Sequence, residues 1–167
     1  MNKDVRFLTR VAVIAACYVV VTVAFAPIGF GEIQLRVSEA LTILPIFTPA
    51  AIPGLFIGCL LGNILGGAVL PDVIFGSLAT LIGAAGTYFV GMTLKTGDNP
   101  IKIATATIPP ILANAIIIPF VLKYAYGSPM PIPLMMLTVG IGEVLGCGVL
   151  GTVLGVFLKH HESSIFK

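Results

Sequence analysis

The stretch FLTRVAVIAACYVVVTVAFA, residues 7–26, decides the fold class. Wound as a helix at about 1.5 Å per residue, it covers roughly the 30 Å of a bilayer's hydrocarbon core. Lys3, Arg6 and Arg10 precede or open it, as in the n-region of a secretory signal. The apolar run continues to Ala26, however, and further runs follow, so it reads as a first transmembrane helix rather than a cleaved leader. Working outward, five more apolar runs occupy residues 36–48, 50–68, 71–92, 102–124 and 134–158. The second is short for a crossing and carries Arg36 and Glu39 near its start, so it reads as a tilted helix, a half-helix or one extended by the preceding loop.

The whole chain shares this character. Of its 167 residues, 57% are hydrophobic and 10% charged, and the mean hydropathy is +1.10. Soluble domains carry about 25% charged residues. Six helices of about 20 residues each use most of this length, so residues 1–167 read as one integral membrane domain without room for an ATPase. The expected class is an all-α membrane protein with six transmembrane helices in the cell membrane.

The breaks between runs have suitable chemistry. Pro27 and Gly29–Gly31 end the first. Thr48-Pro49 reads as an N-cap and N1 proline, and Asp72 after Pro71 as another N-cap. Gly97-Asp98-Asn99-Pro100 is a hydrophilic turn, and prolines 129, 131 and 133 stiffen the last loop. With the N-terminus inside, Lys3, Arg6, Arg10, Lys95, Lys102, Lys159 and Lys167 fall on the cytoplasmic side, and only Arg36 and Lys123 fall outside.

Polar groups at membrane depth are costly and by default functional. Asn63, Asn114 and Glu143 all fall in the outer half of their spans, and Arg36 and Glu39 open the second span on that side. Four spans thus bring hydrogen-bonding groups to one outward layer. Each residue has a bland reading too. Glu143 is either an ion-pair partner of Arg36 or Lys123, or a ligand contact. Arg36 and Glu39, three apart, can pair with each other. Asn114 either bonds a neighbouring helix or reads a ligand. It lies between Pro109-Pro110 and Pro119, in the kind of interrupted helix that lines transporter sites. Tyr124 and Tyr126 are interfacial anchors or stacking groups, as is Phe30.

Glycines recur every four residues at 58, 62 and 66, at 142 and 146, and at 151 and 155, as close helix packing in lipid requires. Ala12 and Ala16 repeat the spacing on the first helix, facing either the bundle or a partner protein. Cys17, Cys59 and Cys147 lie in apolar runs and read as packing residues. No Walker loop, HExxH or ligand-spaced His/Cys group occurs, so no metal, cofactor or catalytic residue is expected. The basic residues are too scattered for nucleic-acid binding.

The segment from Glu32 through Arg36, Glu39, Leu44-Pro45 and Thr48-Pro49 to Asn63 resembles the QueT family. The likeness is specific over residues 32–63; elsewhere it rests on length, span number and the placement of Gly142-Glu143. It implies an S component of an energy-coupling factor (ECF) transporter, a six-helix bundle with its substrate site near the outer face. It implies docking of Ala12 and Ala16 on a membrane T component, with two ABC-type ATPase subunits supplying energy. The substrate it implies is a queuosine precursor, a 7-deazaguanine base such as the aminomethyl form or queuine. Glu143 would then accept both N–H groups of the purine edge, with Asn114, Glu39, Arg36, Asn63, Tyr124 and Tyr126 as further binding candidates. Two rivals stay open: an S component for another vitamin-like solute, and a self-contained secondary transporter.

Overall fold

The computed structural model describes residues 3–29, 35–96 and 99–161. Every regular element among them is helical. In chain order these are α1 (Lys3–Ala24), a short α2 (Ala26–Gly29), a 3-10 helix (Val37–Ile46), α3 (Ala51–Leu65), α4 (Leu70–Leu94), α5 (Pro100–Thr105), α6 (Ile108–Tyr124) and α7 (Ile132–Glu143). A π-helical segment (Val144–Leu150) then joins α7 to α8 (Gly151–His160). Four stretches are long and apolar enough to cross a membrane: Lys3–Ala24, Leu70–Leu94, Pro100–Tyr124 and Ile132–His160. Val37–Ile46 and Ala51–Leu65 are apolar but shorter.

The distribution of side chains inverts that of a soluble protein. Leu8, Val20, Leu70, Phe89, Ile101 and Val153 face outward, whereas Arg36, Glu39, Asn63, Asp72, Asn114 and Glu143 are buried. An apolar exterior of this kind suits hydrocarbon as the solvent, and the polar interior must then satisfy itself. Thr9 and Arg10 of α1 share a groove with Leu158 of α8, so the start of α1 and the end of α8 lie at one end of the bundle. Lys102, at the same end, donates to the Leu94 carbonyl at 3.1 Å.

Glycine lets α3 approach α1 closely. The stripe that meets α1 is Gly54, Gly58 and Gly62, one turn earlier than the expected 58, 62 and 66; Gly66 instead closes the end of α3. A Cβ on Gly58 would fall 2.7 Å from the Tyr18 Cβ and 3.0 Å from the Ala15 carbonyl oxygen. Gly58→Val therefore pushes α1 away and is expected to cost about 1–3 kcal/mol, read as a lowered Tm in detergent. Gly140→Ala, whose nearest neighbour is Ala115 Cβ at 3.8 Å, is expected to leave Tm unchanged. Equal loss in both variants would refute the packing argument.

The short second run is wound as a 3-10 helix. At about 2.0 Å per residue, ten residues extend roughly 20 Å, against 15 Å for an α-helix. Pro45 removes one donor from it, and i+3 bonds such as Glu39 N to Arg36 O (3.0 Å) and Phe47 N to Leu44 O (2.9 Å) mark its ends. A Cβ on Gly146 would approach the Arg36 carbonyl oxygen to 2.7 Å, and one on Gly151 the Ala40 carbonyl oxygen to 3.3 Å, so this helix lies directly on the π segment and the start of α8.

Two boundaries depart from expectation. α3 begins at Ala51 with Ala50 as its cap, while Thr48 accepts from Ala51 N through its backbone carbonyl at 3.1 Å. The fifth run breaks at Ala106–Thr107, ahead of its paired prolines, which sit in the first turn of α6. Pro110 cannot donate to Ala106; the Thr87 hydroxyl does so instead, at 2.9 Å.

Candidate functional site

The polar layer draws on α1, the 3-10 helix, α3 and α4. From α1 comes Tyr18, whose hydroxyl donates to Glu39 Oε1. The 3-10 helix supplies Arg36, Glu39 and Thr42, and its three-residue turn stacks these positions in one column. From α4, Thr80 donates to the same Glu39 oxygen at 3.2 Å, and Asp72 pairs with Arg36 at 3.3 Å. Asn63 of α3 donates to the Asp72 backbone carbonyl at 3.3 Å. A Cβ on Gly76 would lie 3.1 Å from both Asn63 Nδ2 and Asp72 Oδ1, so glycine leaves the room in which these groups meet.

Asn114 of α6 and Glu143 of α7 are buried as well. The Asn114 amide donates back to the Pro110 carbonyl at 3.2 Å. Glu143 is the last residue of α7, immediately before the π segment, and is 3% exposed. π turns recur at functional sites because they re-aim side chains out of helical register. Three buried oxygen atoms have no hydrogen-bond partner among the described residues, beyond the lone hydroxyls of Thr22 and Thr152: Glu39 Oε2, Asn114 Oδ1 and Glu143 Oε2. Each comes from a different helix, and each is an acceptor.

The structure thus joins three of the expected residues, Arg36, Glu39 and Asn63, through Tyr18, Cys59, Asp72 and Thr80 in one buried network, and it buries Asn114 and Glu143 as well. Tyr126 touches its edge from the loop after α6, donating to Asp72 Oδ2 at 2.9 Å. Burial and the Asp72 carboxylate push the Tyr126 phenol above its ordinary range. Tyr124 stands apart: it is 78% exposed and lines an apolar groove of about 610 Å³ with Pro71, Phe75 and Phe120. Lys123 bonds the carbonyls of Ser128 and Met130 at 3.1 and 3.3 Å. Phe30 and the Glu32–Gln34 part of the motif lie outside the described residues.

Sequence reasoning missed Tyr18, Asp72 and Thr80. Asp72 was legible by the rule that found Glu143, but its place after Pro71 offered a sufficient alternative as a cap. Val69 occupies the N-cap position instead, and the Asp72 side chain turns to Arg36 and Tyr126. Tyr18 and Thr80 carry no signal among apolar neighbours.

An apolar exterior around a buried polar layer defines a multi-pass membrane protein. Residues 8–160 match the family model described as QueT transporter. The chain belongs to the QueT transporter family, a family of carriers and not of enzymes. A stretch of 85 residues is 38% identical to the Queuosine precursor transporter QueT of Lactococcus lactis subsp. cremoris (strain MG1363). That stretch covers 49% of this chain and 50% of the relative, so the match spans about half the length of each. No solved structure matches the chain.

Proposed function

We propose that this chain is the substrate-binding S component of an ECF-type importer, capturing a queuosine precursor in the layer formed by Glu39, Asn114 and Glu143. The observation that carries the reading is the set of three buried acceptor oxygens, one on each of three helices, that lack a partner among the described residues. Unpartnered buried acceptors are costly, and a ligand rich in N–H groups relieves that cost. The edge of a 7-deazaguanine presents adjacent N–H donors, which one carboxylate accepts together in a strong charge-assisted pair. Glu143 takes that role, and Asn114 reads a further donor. The relative's name, a queuosine precursor transporter, agrees with this chemistry.

In this reading the chain crosses the membrane six times, the 3-10 helix and α3 included, with both termini cytoplasmic. The layer then opens to the outer side. Ala12 and Ala16 are exposed on α1 and form the docking face for a T component, which two ABC-type ATPase subunits drive. Ala16→Leu is expected to abolish co-purification with such a module and to leave ligand affinity unchanged; an intact complex in that variant would remove the alanines from the docking face. The substrate reading is tested by titrating purified protein, without ATPases, with queuine, 7-aminomethyl-7-deazaguanine, guanine and a set of water-soluble vitamins. A 7-deazaguanine is expected to bind at least about tenfold more tightly than guanine. Tighter binding of a vitamin would replace the substrate class.

A further inference from the structure

A loop is fastened across one edge of the polar network, and its two sides are held differently. Residues 125–131 leave α6 through Gly127, whose φ of +68° turns the chain. Towards α6 and α7 the loop is pinned firmly. Ser128 N donates to the Leu122 carbonyl at 3.1 Å, and Lys123 donates to the Ser128 and Met130 carbonyls. Met130 also packs on the cluster of Ile118, Leu122, Met135 and Val139. Towards α4 the loop reaches through the Tyr126 hydroxyl, which donates to Asp72 Oδ2 at 2.9 Å and accepts from Val69 N at 3.4 Å. Tyr126 is 42% exposed, whereas Asp72 is fully buried. Water can therefore replace the Tyr126 bonds at small net cost, which it cannot do for the packed side of the loop. Inward of Asp72 the contacts continue: Asn63 donates to the Asp72 carbonyl and to Cys59 Sγ, and Thr80 donates to Cys59 Sγ and to Glu39.

We infer that Tyr126 is a latch: it fastens the loop between α6 and α7 to the start of α4, and ligand enters and leaves the buried layer when this bond opens. The inference rests on the reading above that the layer binds the ligand and opens to the outer side. Tyr126 then governs the rates of entry and exit and does not itself touch the ligand. The loop is stiff, with Pro129 and Pro131 fixing its backbone, so release at one hydroxyl frees its α4 side as a unit while Met130 and Lys123 keep the other side in place.

The test uses Tyr126→Phe, which keeps the ring and removes the hydroxyl. Its first readout needs no ligand. Cys59 is fully buried beside Asn63, so its reaction with a charged, water-soluble methanethiosulfonate reports opening of this edge. Cys147, equally buried between the Thr42 hydroxyl and the Thr107 carbonyl, reports general loosening. Labelling of Cys59, resolved by peptide mass, is expected to accelerate about tenfold in the variant, with Cys147 unchanged. Unchanged labelling of Cys59, or equal acceleration at both thiols, would overturn the latch. The second readout is stopped-flow binding of 7-aminomethyl-7-deazaguanine. Association and dissociation are both expected to become about tenfold faster, with affinity held within about threefold. Loss of affinity at an unchanged association rate would overturn the latch and make Tyr126 a ligand contact. Failure of the compound to bind the unmodified protein would overturn the substrate reading, and the thiol labelling would still decide whether Tyr126 closes the layer.

Discussion

Glu143→Gln is expected to weaken ligand binding by about 100-fold or more while leaving the ligand-free protein as stable as before, or more so. The two effects have opposite signs for one reason. Glu143 Oε2 is buried without a partner among the described residues. Without ligand, the carboxylate is a cost that the isosteric amide relieves. With ligand, the amide presents one acceptor and one donor to an edge that offers two donors, so one contact becomes a clash of N–H groups. Gains in stability that accompany loss of function are the mark of binding residues. Isothermal titration and thermal unfolding of the same preparation measure both. Lost stability with unchanged affinity would make Glu143 a structural residue.

Arg36→Met is expected to act in the other direction, on folding first. Arg36 compensates Asp72, which is fully buried at the start of α4. Removing one partner of a buried ion pair costs about 3–5 kcal/mol, because the remaining charge has nothing to balance it. That is a large share of a typical total stability of 5–15 kcal/mol. The variant is expected to give little folded protein after extraction. Arg36→Met combined with Asp72→Asn removes both charges and is expected to recover much of the yield, since the stranded charge rather than the lost attraction dominates the cost. Equal yields for the single and double variants would show that Arg36 contributes through other contacts.

These two residues also show what the sequence discloses. Arg36, Glu39, Asn63, Asn114 and Glu143 were legible because polar groups are rare in apolar spans, and counting residues from each span end gives their depth. The partners they chose were not. Arg36 precedes Glu39 by three residues, a spacing that suggests a local pair, yet the structure gives Arg36 a partner 36 residues away, in Asp72, and gives Glu39 bonds from α1 and α4. Such choices depend on how helices are rotated against one another, which spacing within one helix does not encode.

Winding was hidden for a similar reason. Over Val37–Ile46, positions 36, 39 and 42 look alike in a three-residue and a 3.6-residue repeat, because ten residues are too few for the two to diverge visibly. The 3-10 winding becomes evident only in its backbone bonds, such as Glu39 N to Arg36 O and Phe47 N to Leu44 O. The π segment after Glu143 is equally silent, since a single register shift leaves an apolar, glycine-rich run apolar and glycine-rich. Prolines were more informative, but they located the fifth run's break only approximately. A proline deprives the carbonyl four residues earlier of its donor, and the chain turns at Ala106–Thr107, ahead of Pro109.

The central claim is that the buried acceptor layer, not the apolar groove at Tyr124, holds the ligand. The most direct measurement is an experimental structure of the protein bound to 7-aminomethyl-7-deazaguanine. The account predicts ligand density among Glu39, Asn114 and Glu143, with the purine edge on the Glu143 carboxylate. Density in the groove bounded by Pro71, Phe75, Phe120 and Tyr124, with the polar layer unchanged, would contradict it.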